Sequence, residues 1–223
     1  MPRGLVLSVH KPLDWTSFDV VNKLRRALRW KSVGHAGTLD PAADGVLLVL
    51  FGGATARAAE FMDLPKEYRA RVRFGVTTAS DDLEGMTGVP ANPLPDWSES
   101  RVSAALGEFI GDIEQVPPAV SAVKVAGVRS YELARAGKSV SLAPRTVRVY
   151  SARIVAASNP DVDVVITCSR GTYVRAIARD LGQRLGWGGV LAALTRSAVG
   201  PYRLDNALTL SDILKRSLEF RFE

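Results

Sequence analysis

The sequence predicts an α+β fold, a mostly antiparallel mixed sheet with helices packed on it. Two runs alternate with period two, Glu67 to Val76 and Val162 to Ile166, as half-buried strands do. Val20 to Leu28 and Val174 to Leu185 instead repeat apolar residues at helical spacing. Strands and helices follow one another without the regular rhythm of stacked βαβ units, which argues against a parallel, doubly wound sheet. With 223 residues the chain reads as a single domain, residues 1–223. Its 47% hydrophobic and 23% charged residues are ordinary for a globular protein, while a net charge of +6 draws it towards polyanions. No window approaches the ~18 apolar residues of a membrane span, and the N-terminal apolar stretch is short for a signal peptide. A cytoplasmic monomer without a membrane partner is expected. Cys168 is the only cysteine and His10 and His35 the only histidines, so neither an internal disulfide nor a zinc site is expected. No Walker loop or dinucleotide fingerprint occurs, and the chemistry is expected to need no cofactor.

A short strand, Leu5 to Val9, leads into His10-Lys11-Pro12. Thr16 with Asp19 three residues on predicts a capping box and a helix start. Val20, Val21, Leu24, Ala27 and Leu28 share one face of that helix, and Asn22, Arg25, Arg26 and Arg29 the other. This basic face reads either as solvated surface or as an RNA contact. The segment GHAGTLDPAADGVLLVL, residues 34–50, then sets Asp40 between two glycine-bearing turns and an apolar run. Gly34, Gly37 and Gly45 can take backbone angles closed to other residues, and Pro41 fixes the bond after the acid, so a tight loop is expected. On spacing alone the ordinary reading of Asp40 is a turn aspartate bonded to its own backbone, with a presented catalytic carboxylate as the rival. Ala54 to Met62 reads as a helix. In the strand Glu67 to Val76, Tyr68, Ala70, Val72, Phe74 and Val76 share one side and Arg69, Arg71 and Arg73 the other. That stripe is either a cationic surface or a salt-bridged ladder.

Met86 to Trp97, rich in Pro and Gly, reads as an exposed connection. Val102, Ala105, Leu106 and Phe109 give the next helix its apolar face, with Gly111 suited to its end. Residues 117–145 form a basic insertion in which Lys124, Arg129, Arg135 and Lys138 surround a short helical pattern at Tyr131 to Ala136. It is a surface hairpin or a clasp for nucleic acid. Val147 to Val155 and Val162 to Ile166 read as strands, the second ending at CSRGTYVRAI and handing over to a helix. Val174, Ile177, Ala178, Leu181 and Leu185 mark its buried face; Arg175 and Arg179 are expected off it, near a junction where sites form. Arg175 is the natural partner for a buried aspartate. Gly188 to Tyr202 adds a loop and strand with Leu194 and Arg196, and Ser211 to Leu218 a last helix.

These residues resemble the TruB-type tRNA pseudouridine synthases. GHAGTLDPAADGVLLV is similar to that family's catalytic loop, KPLDWTSFDVV to its N-terminal Lys-Pro motif and KEYRARVRFG to its tyrosine motif. PPAVSAVKVAGVRSYELARAG is similar to its RNA-clasping insertion, and CSRGTYVRAIARDLG to its arginine motif. The five matches run in family order from about residue 4 to residue 202. Two departures stand out: TTASDDLEG, residues 77–85, replaces the family's usual acidic pattern, and Thr195 stands where an arginine is common. The sequence ends at Glu223 where many members continue into a small RNA-binding PUA domain, so a form without that domain is expected.

The resemblance implies a pseudouridine-synthase fold and a cofactor-free isomerase acting on uridine in the TψC arm of tRNA. Asp40 would attack the ribose or take its 2′ proton; the alternatives stay open. Arg175 would hold the carboxylate ionised and in line, because burial alone would raise its pKa. Tyr68 would lie against the target base, Tyr173 and Leu194 would wall the pocket, and His35 would fill the gap left by the flipped nucleotide. Lys124 would grip phosphate, and Lys11 would support the loop rather than react. A non-catalytic tRNA-binding protein is the rival from another class. A glycosidase needs two cooperating acids, and the only further candidate is Asp44, whose neighbours suggest a turn.

Overall fold

The computed structural model describes residues 4–83, 93–121, 124–125, 128–130 and 142–220. In chain order the first elements are β1 (Gly4–Lys11), α1 (Ser17–Leu28), β2 (Val33–Ala36), β3 (Ala43–Gly52), α2 (Ala58–Asp63) and β4 (Lys66–Phe74). Then come α3 (Glu99–Gly107), β5 (Gly111–Gln115), β6 (Lys124–Val125), β7 (Val128–Arg129), β8 (Arg145–Ser158) and β9 (Asp161–Cys168). The last are α4 (Val174–Leu185), β10 (Gly189–Val199), β11 (Tyr202–Arg203), α5 (Leu210–Lys215) and α6 (Ser217–Phe220). The architecture is the expected mixture of helices with a mostly antiparallel sheet. The chain divides into two compact units, Met1–Tyr68 with Leu194–Glu223, and Arg69–Ala193. Among the described residues no helix is long and apolar enough to cross a membrane.

In the first unit β3 is flanked by β1, antiparallel from Gly4↔Gly52 to Lys11↔Gly45, and by a parallel contact with β10 at Leu194↔Ala43 to Arg196↔Gly45. β2 returns antiparallel along β3. The apolar run of β3 is buried on both faces, which is why it reads as continuous rather than alternating. Leu47, Val49 and Phe51 pack with Val20, Val21, Leu24 and Leu28 of α1, whereas Val46, Leu48 and Leu50 pack with Ala54, Phe61 and Val199. Each of the six β3 side chains from Val46 to Phe51 contributes about 1.5–3 kcal/mol on burial, so the strand is a firm base for the loop that precedes it. The predicted capping box exists: Thr16 Oγ1 accepts from the Asp19 amide at 3.0 Å, and Asp19 accepts from the Thr16 amide at 2.9 Å. Two elements differ from expectation. Residues 54–62 begin as a 3-10 turn over Gly53–Arg57 before α2 forms, and the last helix is broken into α5 and α6.

In the second unit β8 pairs antiparallel with β5 and with β9, with register shifts between Val149/Ser151 and Ile154/Ala156. The arginine stripe on β4 resolves as a salt-bridged ladder at two of its three positions. Arg71 pairs with Asp163 at 2.7 Å and Arg73 with Asp161 at 2.7 Å, the acids alternating along β9 in step with the arginines. α3 ends at Gly107, and Gly111, at φ +112°, starts β5 rather than closing the helix. The helical pattern at Tyr131 to Ala136 lies outside the described residues, as do residues 86–92 of the predicted connection.

Candidate active site

Asp40 sits half-buried in the turn between β2 and β3, on a loop held from three sides. Gly37 (φ +88°) and Gly45 (φ +112°) supply the backbone angles the turn needs, whereas Gly34 lies in β2 without a positive φ. An added Cβ at Gly45 would meet the Arg196 carbonyl oxygen at 2.3 Å, so the parallel contact with β10 depends on that glycine. On one side Ser17 Oγ, at the start of α1, accepts from the Leu39 amide at 2.9 Å and donates to its carbonyl at 3.2 Å. The Asp14 amide donates to the Pro41 carbonyl at 2.9 Å.

Lys11 grips the loop from beneath. It is fully buried, and its Nζ donates to the carbonyls of Trp15 (2.6 Å), Pro12 (2.8 Å) and Pro41 (3.4 Å). Burial lowers its pKa to about 8, opposed by the negative charges of Asp44 and then Asp40. Asp44 lies in β3, not in a turn, with a carboxylate oxygen 3.4 Å from His10 Nε2.

The third clamp is Arg196, only 1% exposed. Its Nε donates to the Val46 carbonyl at 2.7 Å, Nη2 to Gly37 at 3.0 Å and Nη1 to Thr38 at 3.3 Å. One rigid guanidinium therefore ties both ends of the Asp40 loop to β10. His35, on β2, carries a buried Nδ1 without a hydrogen-bond partner among the described residues. Burial first, and the Arg196 charge second, hold its pKa below the ordinary histidine value, with the Gly37 backbone pulling partly back; the ring is neutral at pH 7. Leu194 is half-buried and stands in register with Ala43, and Tyr68 is buried on β4.

The second unit holds Tyr173 and Arg175 at the start of α4. Gln115 locks the Tyr173 backbone, its Oε1 accepting from the amide at 2.8 Å and its Nε2 donating to the carbonyl at 3.1 Å. The Arg145 guanidinium lies 4.7 Å from the centre of the Tyr173 ring. Arg175, expected off the buried face, is 5% exposed. Its Nη1 donates to the Ser80 carbonyl at 2.8 Å and its Nη2 to the Val120 carbonyl at 3.0 Å, and Asp82 stands 3.5 Å away. The two carbonyls take up Nη1 and Nη2, and the Asp82 carboxylate balances part of the buried charge. Arg179 pairs with Asp81 at 2.8 Å; burial raises the Asp81 pKa against the pull of that arginine. The departing TTASDDLEG segment thus contributes both acids that steady α4. Lys124 lies on β6, with its side chain outside the described residues.

This arrangement offers a half-buried carboxylate on a preorganised loop and a neutral imidazole in one unit, and an anchored arginine beside a tyrosine in the other. The profile of the TruB family pseudouridylate synthase N-terminal domain matches residues 25–174. The chain belongs to the TruB family. It is 47% identical over 210 residues to the tRNA pseudouridine synthase B of Trichormus variabilis, covering 93% of this chain and 71% of the relative. To the tRNA pseudouridine synthase B of Opitutus terrae it is 46% identical over 208 residues, covering 93% and 86%. Among solved structures it resembles a chain of a Cbf5-Nop10-Gar1 complex with TM-score 0.73 at 28% identity, over 94% of this chain. It spans about half, 53%, of that longer chain.

Proposed function

We propose that this protein converts uridine to pseudouridine in the TψC loop of tRNA, with Asp40 as the group that opens the glycosidic bond. The bond from N1 to C1′ breaks, the uracil turns, C5 joins C1′, the C5 proton leaves and N1 takes up a proton, so the reaction is an isomerisation that needs neither an oxidant nor a net addition of water. The observation that carries the reading is the threefold clamp of Lys11, Ser17 and Arg196 on the loop bearing Asp40. A turn aspartate with no task requires no such preorganisation, whereas a catalytic carboxylate gains rate from fixed geometry. Arg175 would hold that carboxylate ionised, and Tyr68 and Leu194 would bound the base with Tyr173. His35, uncharged and with an Nδ1 that has no hydrogen-bond partner among the described residues, suits the gap left by the extruded nucleotide. Lys124 would meet phosphate. The names of the tRNA-modifying relatives support the substrate class. The test is an unmodified tRNA transcript incubated with the protein, digested, and mapped for pseudouridine. A product confined to the TψC loop, abolished when that uridine is replaced by cytidine, is expected. Modification elsewhere in the transcript, with the TψC loop untouched, would overturn the assignment.

A further inference from the structure

The outer face of α1 joins an exposed aromatic ring to a group of cations. Phe18, Asn22, Arg25, Arg26 and Arg29 fall within about 100° of the helix circumference, Asp19 lies about 20° and Lys23 about 60° beyond the Arg26 edge, and Lys31 stands just beyond the end of the helix. Lys23, Arg25, Arg26, Arg29 and Lys31 are all exposed, and none forms an ion pair among the described residues. Elsewhere on the surface Arg57, Arg71, Arg184, Arg203 and Arg216 each face a carboxylate. Favourable interaction with the helix dipole needs only a cation or two in the last turn, so five exceed that need. Arg29 is also held at φ +57°, a conformation in which glycine is the usual helix cap. Phe18 is 64% exposed, too open to be a core residue.

We infer that this face is a second RNA-binding surface, on which Phe18 stacks an unpaired base and the cations from Lys23 to Lys31 follow the adjoining phosphates. The inference rests on the RNA substrate of the proposed function. Geometry sets the direction of the track. Ser17, which bonds the Leu39 backbone, fixes the start of α1 against the Asp40 loop. Phe18 is the next residue, Arg25 lies about 10 Å further along the axis and Arg29 about 16 Å. RNA leaving the loop would meet the ring first and the arginines after it. Charge complementarity commits the surface to a polyanion, and an exposed ring beside cations is the arrangement that binds unpaired nucleic acid.

The test measures binding of an unmodified tRNA transcript against salt concentration, for the full chain and two variants. Neutralising three phosphate contacts in R25Q/R26Q/R29Q should lower the slope of log K against log salt by about 2 to 3. Phe18→Ala should weaken binding about tenfold at fixed salt, with the charge-dependent slope kept. R71Q, which removes an already paired arginine, is the control with an unaltered slope. Melting temperatures near that of the wild type confirm that the variants fold; should the triple variant melt early, Phe18→Ala still reads the surface. Wild-type slope and affinity in both variants would overturn the inference. Product formation by the wild type on the same transcript reads the uridine chemistry separately. Product with unaltered slopes refutes the surface alone, and a lowered slope with no product refutes the proposed function alone.

Discussion

Replacing Arg196 with methionine keeps much of the side-chain volume and removes the guanidinium that clamps the Asp40 loop. Three carbonyls lose their donor, of which Val46 at 2.7 Å and Gly37 at 3.0 Å are the well-formed bonds. A hydrogen bond from a charged group contributes about 1.5–3 kcal/mol, so the two together amount to about 3–6 kcal/mol. Removing a buried charge also removes its desolvation cost, which offsets part of this, and a net loss of about 3 kcal/mol is expected. Urea unfolding reads that loss directly. A loop released by about 1 Å should lower turnover about 100-fold, while tRNA affinity stays within a few fold. The His35 ring supplies an independent readout, because Arg196 helps to hold its pKa down. In Arg196→Met the His35 titration followed by NMR should move up. In Arg196→Lys the charge remains and the His35 titration should stay low, yet the rigid fork is lost and turnover should still fall. Unfolding within about 0.5 kcal/mol of the wild type, with undiminished turnover, would refute the clamp, since such values mark a surface change away from any special contact.

Lys11 gives a pH dependence of definite sign. Below about pH 8 the folded and unfolded chains both carry its proton; between about 8 and 10.5 only the unfolded chain does, so stability gains about 3 kcal/mol from this group across the window. Urea unfolding at several pH values should show wild-type stability rising relative to Lys11→Met through that range, and a parallel pair of curves would contradict the buried charge. Gly45→Ala should lose about 3 kcal/mol or more, from a φ of +112° and a Cβ driven into the Arg196 backbone; a fully stable variant would place the β3 to β10 contact elsewhere. Arg71→Gln should cost under about 1 kcal/mol, because its pair with Asp163 is largely exposed, and a loss above about 2 kcal/mol would mean that the ladder is structural.

What the sequence revealed, and what it hid, follows the range of the interactions involved. The Thr16 and Asp19 cap, the buried face of α4 and the alternation of β4 are local, and the structure has them. The Asp40 loop was legible as a motif, and two of its three glycines take the backbone angles that were expected. Helical periodicity assigns Arg175 to solvent, and the structure buries it. Its burial depends on Asp82, Ser80 and Val120, which lie far off in sequence. The sequence marks Arg196 only as a residue of its strand, since its acceptors are backbone carbonyls 150 to 159 residues away and leave no side-chain signature. The Arg71 and Arg73 ladder did leave one. Asp161 and Asp163 alternate with the same period on a later strand, and matching the two runs would have paired them. The 3-10 turn at Gly53–Arg57 was hidden because its composition suits either helix type.

The most direct test of Asp40 as the reacting carboxylate uses tRNA with tritium at C5 of uridine, incubated with the wild type and with Asp40→Asn. The wild type should release label to water as C5 joins the ribose. Asp40→Asn should bind the same tRNA within a few fold and release none. Steady release by the asparagine variant, or none by a folded wild type that binds the RNA, would contradict the account.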